Sequence, residues 1–219
     1  MSRGKFITLE GIEGAGKSTA TQFVLSWLQQ HGVAARATRE PGGTPLAERI
    51  RQIVLERGTE LVSPVTETLL MFAARAAHVQ NVILPALARG EWVVCDRFTD
   101  ATRAYQGSGR GVDARLLDTL AVAVHGALAP DCTVLFDLPA AAGLARARGR
   151  PGSGADRFEA ETLAFFEKVR AGYLALARAA PQRFRVVDAA APLAEVERAL
   201  GRSHAHVRSG SSAADAALR

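Results

Sequence analysis

The sequence predicts an α/β fold in three layers, a five-stranded parallel sheet between two layers of helices. Three observations carry it. Short β-prone runs recur at residues 6–10, 33–38, 92–95, 132–137 and 184–187. Between them lie long alanine- and leucine-rich stretches with helical spacing, and strands alternating with helices imply a parallel sheet covered on both faces. The first run leads straight into a glycine-rich turn that opens a helix-compatible stretch, Gly11-Ile12-Glu13-Gly14-Ala15-Gly16-Lys17-Ser18-Thr19.

Taken in order, residues 6–10 read as the first strand and 17–31 as the first helix. Strand 33–38 precedes helix 44–56, and a long apolar stretch, 66–88, follows as the third helix. Pro85 falls late in that stretch, where a missing N–H kinks a helix or ends its regular part. Strand 92–95 then leads to the segment around Asp96, and helix 112–125 to strand 132–137. Helices 139–148 and 159–180 bracket Gly149-Arg150-Pro151-Gly152-Ser153-Gly154-Ala155-Asp156, whose composition predicts a mobile surface loop. Strand 184–187 and helix 192–202 complete the pattern. The expected organisation is one domain, residues 1–203, with a lid at about 146–158. Residues 204–219 lack apolar periodicity beyond scattered alanines and are expected to be disordered.

Composition narrows the function classes. A chain of 219 residues that is 48% hydrophobic can bury a proper core. No run of about 18 uncharged apolar residues is present, and Met1 to Lys5 lead directly into a strand, so a cytoplasmic chain without a membrane segment is expected. Cys95 and Cys132 lie inside apolar strand-like runs, as reduced core thiols do. The net charge is +5, aromatics make up only 6%, and the arginines are dispersed. That distribution suits nucleotide phosphates better than a polynucleotide.

The segment from Gly11 to Ser18 fits G-x-x-x-x-G-K-[ST] in the context that pattern requires, strand then loop then helix. Glycines at 11, 14 and 16 permit backbone angles that let successive N–H groups of Ile12, Glu13 and Ala15 turn inward around phosphate oxygens. Lys17 then reaches the outer phosphates, and Ser18 is placed to ligate the Mg2+ that travels with them. At the end of the third strand stand Asp96 and Arg97. The C-terminal strand ends of a parallel sheet form the ligand crevice, so both should face the phosphate loop. Asp96 can hold the metal through water, and Arg97 can fork onto a second phosphate.

Four segments together, residues 9–19, Thr38-Arg39-Glu40-Pro41-Gly42-Gly43, Leu70-Met71-Phe72-Ala73-Ala74-Arg75, and Asp96-Arg97-Phe98 through Tyr105-Gln106-Gly107, resemble the bacterial thymidylate kinases in order and spacing. The likeness spans about residues 4–200. It implies the P-loop kinase sandwich, ATP and dTMP as ligands, a homodimer, and no nucleic-acid partner. It also implies roles. Gly11 to Thr19 would bind ATP, and Glu13 would lie near the sugar 3′-hydroxyl and the metal. Phe72 would stack on thymine while Arg75 donates to a base carbonyl, the two lying three apart on one helix face; a core phenylalanine beside a solvated arginine fits the same spacing. Thr102 and Gln106 would meet the pyrimidine edge, and Tyr105 would lie under the deoxyribose. Arg51 and Arg97 would hold the monophosphate, and Glu40-Pro41 would shape the acceptor pocket, where a cis proline is plausible.

The family has forms with the catalytic arginine in the phosphate loop or in the lid. Residues 12–16 contain none. The lid form is therefore implied, with Arg150 first choice and Arg157 second, Arg146 and Arg157 being counted as ATP contacts. Two residues depart from the family pattern, Arg103 and Ser108, and both are expected to border the base pocket. The implied reaction moves the γ-phosphoryl of Mg-ATP to dTMP. A kinase for another nucleoside monophosphate and a nucleotide-regulated nucleic-acid-binding module stand as the alternatives.

Overall fold

The computed structural model describes residues 3–56, 58, 60–149, 157–158 and 161–209, the last eight of these as backbone. Five strands form one parallel sheet: β1 (Phe6–Glu10), β2 (Ala35–Arg39), β3 (Trp92–Asp96), β4 (Cys132–Asp137) and β5 (Phe184–Asp188), in the order β2-β3-β1-β4-β5. The central strand β1 pairs with both β3 and β4. All five of its residues are buried, as expected of a strand covered on both faces. The order reverses at β1, so the crevice at its C-terminal end is the topological switch point of the sheet.

The helices are α1 (Lys17–Gln30), α2 (Pro45–Leu55), α3 (Pro64–His78), α4 (Leu84–Ala88), α5 (Thr99–Thr102), α6 (Ala114–His125), α7 (Ala140–Arg148), α8 (Leu163–Ala179) and α9 (Leu193–Ser209). Thr44, Ser63, Asp113 and Thr162 cap α2, α3, α6 and α8 by accepting from backbone N–H groups of the first turn. In α1 the N-cap is Gly16, at φ 87°, and it provides no side-chain acceptor. The first-turn N–H groups of α1 are thus left for another partner.

Between α3 and α4 the chain passes through a π-helical turn, Val79–Ile83, and Pro85 stands at the start of α4. The wider turn accommodates the ring and the missing N–H of Pro85, which is how the expected interruption is realised. By length and mean hydropathy (25 residues, 1.2), Pro64–Ala88 would suit a membrane span. It carries the buried, hydrogen-bonded Arg75 and His78 and packs against α2 and α6, as a core helix does. The segment after β3 is also helical, through α5 and a second π-helical stretch, Arg103–Gly109, which packs on α8.

One expectation is corrected at the C-terminus. Helix α9 continues through Ser209 and does not end at Arg202. Residues 203–208 contain no proline or glycine, and the next glycine after Gly201 is Gly210, so nothing local stops the helix before that point. The expectation of disorder for residues 210–219 lies outside the described residues, as does the larger part of the segment expected to form a lid. Cys95 and Cys132 are free and buried, and burial pushes both thiols up.

Candidate active site

The end of β1 and the start of α1 build the floor of the site. Gly14 adopts φ 74°, and a Cβ there would collide with the carbonyl of Gly143 in α7. The loop can therefore lie against α7 only with glycine at that position. Lys17 is 7% exposed and donates from Nζ to the carbonyls of Gly11 (3.0 Å) and Ile12 (2.9 Å). Burial, with the positive charge of Arg97, lowers its ammonium group to about 8.

The end of β3 supplies Asp96 and Arg97. Among the described residues Arg97 is the one non-glycine residue with positive φ, at 70°, an uncommon conformation that surrounding bonds must hold. Its Nη2 donates to Glu13 Oε1 (2.8 Å), and its Nη1 to the Gly11 carbonyl (2.9 Å) and the Tyr105 hydroxyl (3.1 Å). Tyr105 in turn donates to Glu13 Oε2 (2.7 Å). Glu10 supports this corner from beneath, accepting from the Phe98 N–H (2.7 Å) and the Tyr173 hydroxyl (2.8 Å). Burial and the nearby Asp100 push its carboxyl up to about 8.

Helix α3 presents Glu67, Met71, Arg75 and His78 at helical spacing. Arg75, 3% exposed, donates from Nε to Glu40 Oε2 (2.7 Å) and from Nη2 to the Phe98 carbonyl (3.1 Å) and Thr102 Oγ1 (3.0 Å). Its Nη1 is buried with no hydrogen-bond partner among the described residues. Behind it, His78 Nδ1 donates to Glu40 Oε1 (2.9 Å), since a carboxylate can only accept, and Nε2 shares a hydrogen bond with the Thr38 hydroxyl (2.6 Å). Burial pushes the Glu40 carboxyl upward, but Arg75 and His78 outweigh it and hold the group below the ordinary carboxylate range. The Glu40–Pro41 bond is cis, and Arg51 donates to the Pro41 carbonyl (3.0 Å).

These groups surround a cavity of about 290 Å3. Its wall carries Lys17, Arg39, Arg51, Arg75 and Arg97 against Glu13, Glu40 and Asp96. The excess of cations suits an anionic ligand. A second, less polar cavity of about 300 Å3 opens on the other side of the phosphate loop, lined by Ala15, Gly16, Thr19, Arg146, Ala189 and Leu193. Arg146 is held there by its bond to the Ala189 carbonyl (2.9 Å).

Most of the residues read from the sequence come together here. Gly14, Ala15, Gly16, Lys17, Ser18, Glu13, Glu40, Pro41, Arg51, Arg75, Asp96, Arg97, Thr102, Tyr105 and Gln106 all line the first cavity, and Thr19 and Arg146 line the second. Gly11 and Ile12 lie beneath, accepting from Lys17. Phe72 does not line the cavity itself but stands behind Arg75, whose guanidinium lies 4.8 Å over its ring. It is 2% exposed and packs with Val112, Leu117 and Ala121, while Met71 forms the cavity wall at that turn. The physical reason is the helix period: Met71 lies four residues before Arg75 and shares its face more closely than a residue three before it.

Arg157 lines neither cavity. It donates to Glu67 Oε2 (2.6 Å) and to the Val54 carbonyl (3.0 Å), on the side of α2 and α3, because a buried carboxylate is the strongest acceptor within its reach. Arg150 lies outside the described residues. Arg103 pairs with Asp118 (2.6 Å), and Ser108 packs where Gly172 has no side chain, so neither borders the cavity as expected. Reading the sequence missed Met71, Glu67, His78 and Glu10. Glu67 and His78 are recoverable from the spacing of polar residues along α3, and Met71 from its place four residues before Arg75.

A phosphate loop at the switch point, with a cationic cavity on one side and a less polar one on the other, the two sharing Ala15 and Gly16 of the loop, defines the class: a P-loop phosphotransferase. The family model described as Thymidylate kinase matches residues 9–200. Thymidylate kinase of Alkalilimnicola ehrlichii is 56% identical over 200 residues, 91% of this chain and 92% of that protein. That of Methylococcus capsulatus is 56% identical over 91% of this chain and 94% of its own length. The crystal structure of thymidylate kinase from Ehrlichia chaffeensis superposes with a TM-score of 0.69 at 32% identity, covering 84% of this chain and 93% of that one. The chain belongs to the thymidylate kinase family.

Proposed function

We infer that this chain transfers the γ-phosphoryl group of Mg-ATP to dTMP, giving dTDP and ADP. The observation that carries the reading is the cavity in which Lys17, Arg51 and Arg97 share one wall with Arg75, whose buried Nη1 has no partner among the described residues and is free to meet a base carbonyl. The acceptor is a phosphate oxygen already ionised at neutral pH, so no strong base is needed. Positioning and charge neutralisation supply the catalysis. Incubation with ATP and dTMP should produce dTDP by phosphorus NMR, and ATP consumption without a new diphosphate would sink the reading.

The α1 N-terminus and Lys17 would cradle the ATP phosphates, with the adenosine part in the cavity beside Arg146. Arg51 and Arg97 would hold the acceptor phosphate. Asp96 Oδ1 is buried with no partner among the described residues, and Ser18 lines the same cavity. An unpaired oxygen there fits a hydrated Mg2+, which neutralises charge on the transferring phosphoryl when bound. Arg150 would add a further positive charge from the lid. Arg150→Ala is expected to lower kcat on the order of tenfold with little change in KM for ATP, the pattern of an interaction made in the transition state. An unchanged kcat would remove Arg150 from the mechanism.

Met71, not Phe72, is assigned to flank the base. Met71→Ala should raise KM for dTMP about tenfold and leave KM for ATP within about twofold, whereas Phe72→Leu should act mainly on thermal stability. The reverse assignment predicts the opposite split. The depressed Lys17 group adds a pH signature. The ammonium form binds phosphate, and in the free enzyme it loses its proton as pH rises through about 8. Accordingly kcat/KM for ATP should fall above that pH, while kcat, read from the complex in which phosphates stabilise the ammonium, should persist to higher pH. A flat kcat/KM profile up to about pH 9.5 would contradict it.

The reading includes assembly as a homodimer, supported by exposed Leu46 and Ile53 on α2, Leu69 on α3 and Val122 on α6. It also includes action in the cytoplasm, supported by two buried free thiols. Positive charge serving small phosphates is favoured over a polynucleotide partner, since Arg36, Arg39, Arg103, Arg170 and Arg183 are each paired with a carboxylate.

A further inference from the structure

We propose that Glu67 is a positioning residue that fixes the polarity of the Gln106 amide and thereby makes the acceptor cavity prefer a pyrimidine with a keto oxygen at C4 over one with an amino group. The proposal rests on the phosphoryl-transfer reading above and deepens its account of the base.

A glutamine amide is close to isosteric end for end. Rotating it by half a turn exchanges a donor for an acceptor with little change in shape. A site that reads a base with glutamine must therefore decide which end faces which way. Here Gln106 lines the cavity and is 1% exposed, and its Nε2 donates to Glu67 Oε1 at 2.7 Å. Glu67 is itself 1% exposed. A carboxylate oxygen has no proton to give, so the opposite rotamer would bring two acceptors together in a buried place with no proton between them.

Glu67 is in turn held from its other side. Arg157 Nη2 donates to Oε2 at 2.6 Å, and Arg110, which is paired with Glu161 at 2.6 Å, approaches Glu67 at 3.4 Å. Two guanidinium groups keep the carboxylate in place as an acceptor. With Nε2 committed to Glu67, Oε1 is the end of the amide left for the ligand.

Across the same cavity Arg75 offers its unpaired Nη1, a donor only. The two side chains together present a donor and an acceptor. Thymine and uracil carry the matching pair, a C4 carbonyl that accepts and an N3–H that donates. Cytosine carries the reverse, a C4 amino group that donates and an N3 that accepts. Set against a donor-only guanidinium and an amide fixed with its oxygen forward, cytosine leaves polar groups on both sides unpaired, the circumstance in which a buried site discriminates most strongly.

The test is a steady-state comparison of dTMP and dCMP as acceptors at saturating ATP. The unsubstituted enzyme is measured first with dTMP, and no turnover there would sink the underlying reading rather than this one. Glu67→Gln keeps the size of the side chain and can meet either end of the Gln106 amide. It is expected to lower the ratio of kcat/KM for dTMP to that for dCMP by about tenfold or more, with KM for ATP within about twofold. A folded Glu67→Gln enzyme with the parent ratio overturns the proposal. So does a parallel loss for both acceptors and ATP, which is what a merely structural carboxylate would give. Should Glu67→Gln not fold, with Arg110 and Arg157 left unpaired, Gln106→Met keeps the question open to refutation. It removes the amide at similar volume and must collapse the same ratio, and an unchanged ratio there also overturns the proposal. Where both fold, the double substitution should show no additional change in the ratio over Gln106→Met.

Discussion

Lys17→Ala is expected to lower kcat by about 100-fold or more while the fold survives. Among the described residues the ammonium group bonds to the Gly11 and Ile12 carbonyls, and burial already penalises its charge. Removing it costs the folded state little, so the melting temperature should stay within a few degrees of the parent. Its larger contribution is to the charge that builds on the transferring phosphoryl group. A folded Lys17→Ala protein with near-normal turnover would be incompatible with a phosphate-loop kinase.

Arg75→Leu should act on stability and on the acceptor together. The substitution removes the donors that Glu40, the Phe98 carbonyl and Thr102 now use, leaving the buried Glu40 with His78 as its remaining partner among those bonds. Breaking one side of a buried ion pair costs about 3–5 kcal/mol. The melting temperature should fall accordingly, and KM for dTMP should rise far more than KM for ATP. Pairing the change with Glu40→Gln should return part of the lost stability, because the stranded charge is then gone. Thermal melts of the single and double variants check this. A double variant no more stable than Arg75→Leu alone would place the energy elsewhere than in the Glu40 pair.

The sheet was legible because a parallel sheet needs each strand to be a short apolar run, and the runs that begin at Phe6, Trp92 and Cys132 are separated by helical stretches too long for hairpins. The phosphate loop was legible because its backbone demands glycine at 14 and 16, a requirement that shows directly in sequence. What was hidden depends on facing. Periodicity places Phe72 and Arg75 on neighbouring positions of one helix, but only the packing of Val112, Leu117 and Ala121 against Phe72 decides that Met71 meets the cavity. Arg157 carried no sign in the sequence of its partner, since Glu67 lies 90 residues earlier. Arg97 looked like a phosphate ligand from its place after β3. The strained backbone that aims it, and the Glu10 carboxylate that receives the next N–H, emerge only when β1 and β3 are brought side by side. The helical run from Thr99 to Gly109 was missed because glycines at 107 and 109 argue against a helix locally, and packing on α8 overrides them.

The mechanism stands on thymidine monophosphate as the acceptor. The measurement that meets it most directly is ADP release from Mg-ATP with dTMP, dUMP, dCMP, dGMP and AMP supplied separately under identical conditions. The highest kcat/KM is expected for dTMP, with a weaker response to dUMP, which keeps the keto edge but lacks the methyl group, and little turnover of dCMP or the purine monophosphates. A higher kcat/KM for any of the other four than for dTMP would contradict it.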